Sequence, residues 1–232
     1  MNRYDHCFTI LFTFAKKITQ RCVIANPQRF IIHHSSFIIH HSSFIIRKMY
    51  AITFQPLKRM SPAELLEFSQ LNRDLQCELN ANGTVVLKTP FRLRYTALTN
   101  QIVKKLDAWN DQNTEGVVLT SRIGFVFRNG AIRHPALAWV KSVKMAAQIE
   151  HLIEHVPDFF MEYLTESSSL SLARARMQEY LSNGARLGWL VDLENETVYV
   201  FEQNKAEETV QGFQNVLSGG DILRGFTLTL KD

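Results

Sequence analysis

Cysteine is nearly missing from this chain, with three among 232 residues. Two of them, Cys7 and Cys22, lie in the first 48 residues, which leaves Cys77 alone in the remainder. A single cysteine forms no internal disulfide and no zinc cluster, so a disulfide-stapled fold is excluded for the body of the chain. A reducing cytoplasm is the simplest home for such a sequence. Long apolar runs are missing too. The stretch "CFTILFTFA", Cys7 to Ala15, is too short to span a bilayer and lacks the flanks and small-residue cleavage site of a secretory signal. No targeting segment and no membrane partner are expected.

Acidic residues are scarce at the start. Residues 1–48 hold seven Lys or Arg but only one acid, Asp5. The chain as a whole has 26 basic and 22 acidic residues, a formal charge of +4. With the first 48 residues set aside, 19 basic and 21 acidic residues remain, a formal charge of −2. The basic balance therefore belongs to the leader and gives no warrant for a nucleic-acid partner.

What the leader does contain is a repeat. Phe30 to Ile46 reads "FIIHHSSFIIHHSSFII", with four histidines. Histidine-rich tracts can bind metal. The DNA unit CATCATT, read three times, translates as His-His-Ser-Ser-Phe-Ile-Ile and returns to frame, so the repeat arises with no selection on the protein. The expectation is that residues 1–48 are a low-complexity leader, disordered or the product of a misplaced start, with the true start at Met49 or Met60. Residues 49–232 then form a single domain, long enough to enclose a substantial core.

Within the body, "SPAELLEFSQLN" opens a helix with Ser61 as N-cap, Pro62 at its first position and Glu64 completing a capping box. "CELNANGTVVLK" alternates around Asn82-Gly83, the pattern of a hairpin. Leu98, Ile102, Leu106 and Trp109 mark a long amphipathic helix. Strands are expected at Gly116 to Ser121, Gly124 to Phe127 and Leu137 to Val140, and residues 141–155 read as helical. "DFFMEYLT", Asp158 to Thr165, reads as a buried strand. "SLARARMQEYLSNGA" is a helix stopped by Gly184. "LGWLVD" and "TVYVFEQ" are two further strands, and the C-terminal part reads as turns and short strands. The fold class is α/β (α+β), a mixed central sheet flanked by helices.

"MQEYLSNGARLGWLVDLENETVYVF" resembles the C-terminal half of the Uma-type family of restriction-endonuclease-like proteins, formerly a domain of unknown function. The resemblance continues through "GFVFRNGAIRHPALAWV", "DFFMEYLTESSSL" and "SPAELLEFSQLNRDLQCELNANG", and covers about residues 60–231. It implies the PD-(D/E)XK fold, a restriction-endonuclease-like core, and with it Mg²⁺-dependent cleavage of DNA. In that chemistry carboxylates hold a hard cation. The metal activates water and stabilises phosphoryl charge, and a Lys or Arg adds positive charge.

Carried onto this sequence, the pattern is incomplete. Its Asp position falls on Ala136, its Glu position on Glu162 and its basic position on Leu164. An upstream Glu matches Glu78. Two acids remain, Glu78 and Glu162, as catalytic or metal-site remnants. Alanine supplies no ligand and leucine no charge, so the expectation is a pseudoenzyme that binds Mg²⁺ weakly or not at all. Restoring Ala136→Asp and Leu164→Lys together is expected to return the missing groups. The alternatives are an active Mg²⁺-dependent endonuclease with a migrated site, and a non-catalytic module that binds DNA or protein.

Neighbours could rebuild such a site. His134 could take a transition metal, Asp158 sits near the strand entrance, and Arg174 or Arg176 could supply charge from the following helix. The plainer readings are that His134 is a turn or strand-edge residue and both arginines are helix surface. Trp109, Trp139 and Trp189 read as core rather than as base-stacking platforms. Arg92, Arg94, Lys104 and Lys105 could form a basic patch, but read as solvated helix surface. Glu162 fits no packing role, because an unpaired charge buried in "FFMEYL" is costly.

Overall fold

The computed structural model describes residues 51–72, 75–88, 93–113, 116–141, 148–149, 151–165 and 168–231. The leader and its histidine repeat, and Arg92, lie outside them.

The first described strand, β1 (Ala51–Phe54), pairs antiparallel with β3 (Val85–Lys88). Between them come α1 (Pro62–Leu71) and β2 (Gln76–Leu79). The capping box forms as expected. The Glu64 N–H donates to Ser61 Oγ at 3.2 Å, and the Ser61 N–H donates to Glu64 Oε2 at 2.7 Å. β2 and β3 make the hairpin, with Gly83 at φ +85°, a conformation that glycine adopts without strain.

The long helix α2 (Leu93–Asn113) turns Tyr95, Thr99, Ile102 and Leu106 inward. It is followed by β4 (Gly116–Thr120), β5 (Gly124–Val126), β6 (Ile132–Arg133) and β7 (Leu137–Lys141). The helix expected over 141–155 is not what forms at its described residues. Lys141 ends β7, and two short strands follow, β8 (Gln148–Ile149) and β9 (Leu152–Ile153). Leu152 and Ile153 are buried and pair in parallel with Gly124 and Phe125 of β5. Pairing with a buried strand outweighs local helix propensity here, the usual outcome when tertiary contacts compete with it.

β10 (Phe159–Leu164), α3 (Leu170–Ser182), β11 (Leu187–Asp192), β12 (Thr197–Glu202) and β13 (Glu208–Gln211) complete the central part. Gly184 takes φ +111° after α3. Its N–H donates to the Leu181 carbonyl, and the Ala185 N–H donates to that of Tyr180, a Schellman ending. The small antiparallel pair β14 (Leu217–Ser218) and β15 (Thr227–Leu228) closes the chain.

The strands form a mixed six-stranded sheet, ordered β13-β12-β11-β10-β7-β4, and a seven-stranded sheet, ordered β1-β3-β2-β6-β5-β9-β8. β10 and β11 run parallel, joined through α3, while β7, β12 and β4 pair antiparallel. Alternation along β10 sends Phe159, Met161 and Tyr163 to one face, against α2 and Trp139, Trp189 and Phe226. Phe160 and Leu164 face the other way, into a second cluster with Ala173, Met177 and Tyr180 of α3 and Phe125 and Phe127 of the seven-stranded sheet. Trp139 and Trp189 are fully buried, which fits the core reading. Among the described residues no helix is long and apolar enough to cross a membrane.

Candidate functional site

Glu162 follows the alternation of β10 and points with Phe160 toward α3. It is 5% exposed, and what it meets there is Arg176. On α3 the buried residues are Ala173, Met177 and Tyr180. Arg176 is three residues after Ala173 and four before Tyr180, on the same helical stripe. Its Nε donates to Glu162 Oε1 at 2.8 Å, and its Nη2 lies 2.7 Å from that oxygen. The same guanidinium forks onto Glu78. Nη1 donates to Oε2 at 2.8 Å and Nη2 to Oε1 at 2.7 Å. Such paired charge-assisted bonds are among the stronger polar contacts a protein makes.

Glu78, on β2, is fully buried and collects further donors. Lys88 Nζ stands 2.8 Å from Oε2, and the His134 backbone N–H donates to Oε1 at 3.1 Å. Arg133 Nη1 lies 3.9 Å from Oε2 and donates to the Leu79 carbonyl at 3.1 Å. Arg133 is itself held by Glu179 of α3, with Nε and Nη2 each 2.8 Å from Oε2. Tyr180 Oη donates to Glu162 Oε1 at 2.9 Å. Glu78, Glu162 and Glu179 thus face Lys88, Arg133 and Arg176, and the formal charges cancel.

The titration behaviour follows from this packing. Burial would raise the Glu78 carboxyl, but Arg176 and Lys88, and then Arg133, outweigh burial and hold it well below the usual range. Burial followed by the Glu162 charge pushes the Tyr180 hydroxyl well up. Burial and then neighbouring Arg176 lower Lys88. His134 is lowered mainly by burial, so the neutral imidazole is favoured, and its Nδ1 has no hydrogen-bond partner.

The sequence expectations fare unevenly. Glu78 and Glu162 are brought together, but from different sheets and through Arg176. Ala136 is buried, and its N–H donates to the carbonyl of Met161, the residue before Glu162. Leu164 packs at the edge of the other cluster. Glu78 and Glu162 form a carboxylate pair between two sheets, bridged by Arg176. Arg176, read as helix surface, is a central member of the site. Arg174 is on the surface as expected, with its Nη2 2.6 Å from Glu207. Asp158 serves the backbone, accepting from the Lys141 N–H at 3.0 Å. Arg94 pairs with Glu194, and Lys105 reaches the Thr229 carbonyl, while the cations at the carboxylates are Lys88, Arg133 and Arg176.

Lys88, Arg133, Glu179 and Tyr180 were not anticipated. Lys88 was within reach of the sequence. Gln76 pairs with Lys88 across the hairpin, which makes Lys88 the diagonal same-face neighbour of Glu78.

The donor set bears on Mg²⁺, the ion that a nuclease family implies. That ion needs near-octahedral oxygen ligation. Here both oxygens of Glu78 already accept from cations, Glu162 Oε1 accepts from Arg176 and Tyr180, and Ala136 offers no ligand. Among the described residues no three His, Cys, Asp or Glu side chains gather as a metal site. With Arg176 in place, the arrangement does not fit a divalent cation.

No curated protein matches the chain. A solved structure from Anabaena variabilis, described as "a putative nuclease belonging to DUF820", matches with a TM-score of 0.60 at 16% identity, over 67% of this chain and 88% of that one. At that identity the likeness shows the fold. The model of the Uma2 family, described as "Putative restriction endonuclease", matches residues 62–231. That span carries both carboxylates, the hairpin and α3, and it places the chain in the Uma2 family.

Proposed function

We propose that this chain is a nuclease-fold protein that no longer cuts DNA, because its two surviving carboxylates are neutralised from within. The observation that carries the reading is the Arg176 guanidinium, bonded to Glu78 and Glu162 at 2.7–2.8 Å. A guanidinium seated between the two carboxylates takes the space, and meets the charge, that a metal ion there would need. The apolar Ala136 and Leu164 support the reading. DNA remains the partner that the family suggests, although the net acidic body adds no attraction of its own. A cytoplasmic setting fits the lone buried Cys77. A start at Met60 would remove β1 and uncover the β3 edge.

One observation favours a second reading. Arg176 and Lys88 place positive charge beside the two carboxylates, so the charge missing at Leu164 is supplied from α3 and β3. In a working enzyme with a migrated site these groups would hold the phosphate rather than replace the metal.

A plasmid assay separates the two. The full chain, incubated with supercoiled DNA and Mg²⁺ or Mn²⁺, is expected to leave no more nicked product than Glu162→Gln does. Nicking that Glu162→Gln abolishes would establish the migrated site. A gel shift without nicking, weakened by salt as phosphate contacts are, would mark a binding module.

A further inference from the structure

We infer that Arg176 is a tethered counter-cation standing in for a divalent ion, and that its charge joins the two sheets by holding Glu78 of one to Glu162 of the other. The inference deepens the reading of the site as silent and rests on it. Three features argue for charge rather than packing as the role of Arg176. Among the described residues its head is the one group seen to bond both carboxylates, at 2.7–2.8 Å. Glu78 is fully buried and Glu162 nearly so, and two such anions side by side repel unless a cation lies between them. The neighbours on the stripe, Met177 and Tyr180, already fill the apolar contact, with Tyr180 stacked on Phe160 at 4.0 Å between ring centroids.

If the guanidinium occupies the place of an ion, removing it should open that place. Lys88 remains 2.8 Å from Glu78 and also feels the Glu162 charge, so it offsets part of the charge that Arg176 leaves. Two carboxylates with water in the other positions suit Mn²⁺, which takes oxygen ligands readily.

The test uses the full chain and Arg176→Met, which keeps the apolar stem and removes the charge. Thermal unfolding is followed against MnCl₂, with calorimetric titration alongside. The parent is expected to show no specific Mn²⁺ response. Arg176→Met should unfold at lower temperature in metal-free buffer and recover part of the loss with Mn²⁺. It should bind one ion per chain at least about tenfold more tightly than the parent. Adding Glu162→Gln to Arg176→Met should abolish the response. Equal responses in parent and variant, or none in a folded variant, would overturn the inference. If Arg176→Met does not fold alone, refolding with Mn²⁺ decides. Recovery that depends on Mn²⁺ supports the inference, and failure to recover rejects it. Plasmid nicking by the parent that Glu162→Gln abolishes would overturn the silent-site reading and the inference with it, whereas a silent parent whose folded Arg176→Met form ignores Mn²⁺ would overturn the inference alone.

Discussion

Glu78→Ala is expected to destabilise the protein by about 3–5 kcal/mol, the range for removing one partner from a buried ion pair. The cause is what stays behind. Arg176 and Lys88, with side chains 21% and 27% exposed, would keep their charges and lose a fully buried counter-charge. The His134 N–H would lose its acceptor as well. Chemical denaturation of the parent and variant measures the difference. Glu207→Ala is the control. It breaks the exposed Arg174 pair, and surface pairs contribute little once water screens them, so the unfolding midpoint should not move measurably. A loss for Glu78→Ala no larger than that of the control would remove the cluster from any account of this fold.

The second expectation concerns acid, and its sign follows from which state holds more protons. The folded Glu78 carboxyl lies well below its ordinary value, so the unfolded chain takes up its proton first as pH falls. The stability this provides is complete above the unfolded value of about 4.3 and is lost as pH drops through the folded one. His134 behaves likewise in a higher window. Burial lowers it, so its contribution is present above about 6.5 and declines below that. Unfolding free energy measured from neutral pH downward should therefore fall in two stages. Glu78→Gln should flatten the stage below about 4.3, and His134→Gln the one beginning near 6.5. An acid profile unchanged in Glu78→Gln would contradict the charged state assigned to that carboxylate.

Local chemistry made much of the fold legible. Ser61 with Glu64, Asn82-Gly83, and Gly184 after "EYLSN" each satisfy a backbone requirement within a few residues, and each appears where the sequence indicates. The apolar run of β10 was equally direct as a buried strand, and the cost of an unpaired buried charge made Glu162 the anomaly in it. What stayed hidden depends on contacts between distant segments. The two short strands β8 and β9 exist because β5 offers an edge, which the residues of 148–153 do not announce. Arg176 and Glu78 are 98 positions apart, and nothing near either names the other. A signal existed nonetheless. Arg176 falls on the stripe of Ala173, Met177 and Tyr180, and Arg174 does not, so helical periodicity alone separates the buried arginine from the exposed one.

The structure also changes what repair of the site would require. Ala136→Asp with Leu164→Lys looked sufficient from the sequence. In the fold, Ala136 is buried in an apolar cluster, where an unpaired carboxylate is costly, and Leu164 abuts a second apolar cluster. The cation position between Glu78 and Glu162 is already taken by Arg176. Those two changes alone therefore leave the guanidinium where a metal ion would have to sit.

The central claim is that a guanidinium, not a metal ion, bridges Glu78 and Glu162. The most direct measurement is a crystal of the full chain grown or soaked with Mn²⁺ and examined by anomalous scattering. The account predicts Arg176 bonded to both carboxylates, with no anomalous peak between them. A Mn²⁺ ion bonded to Glu162, with Arg176 turned away, would contradict it.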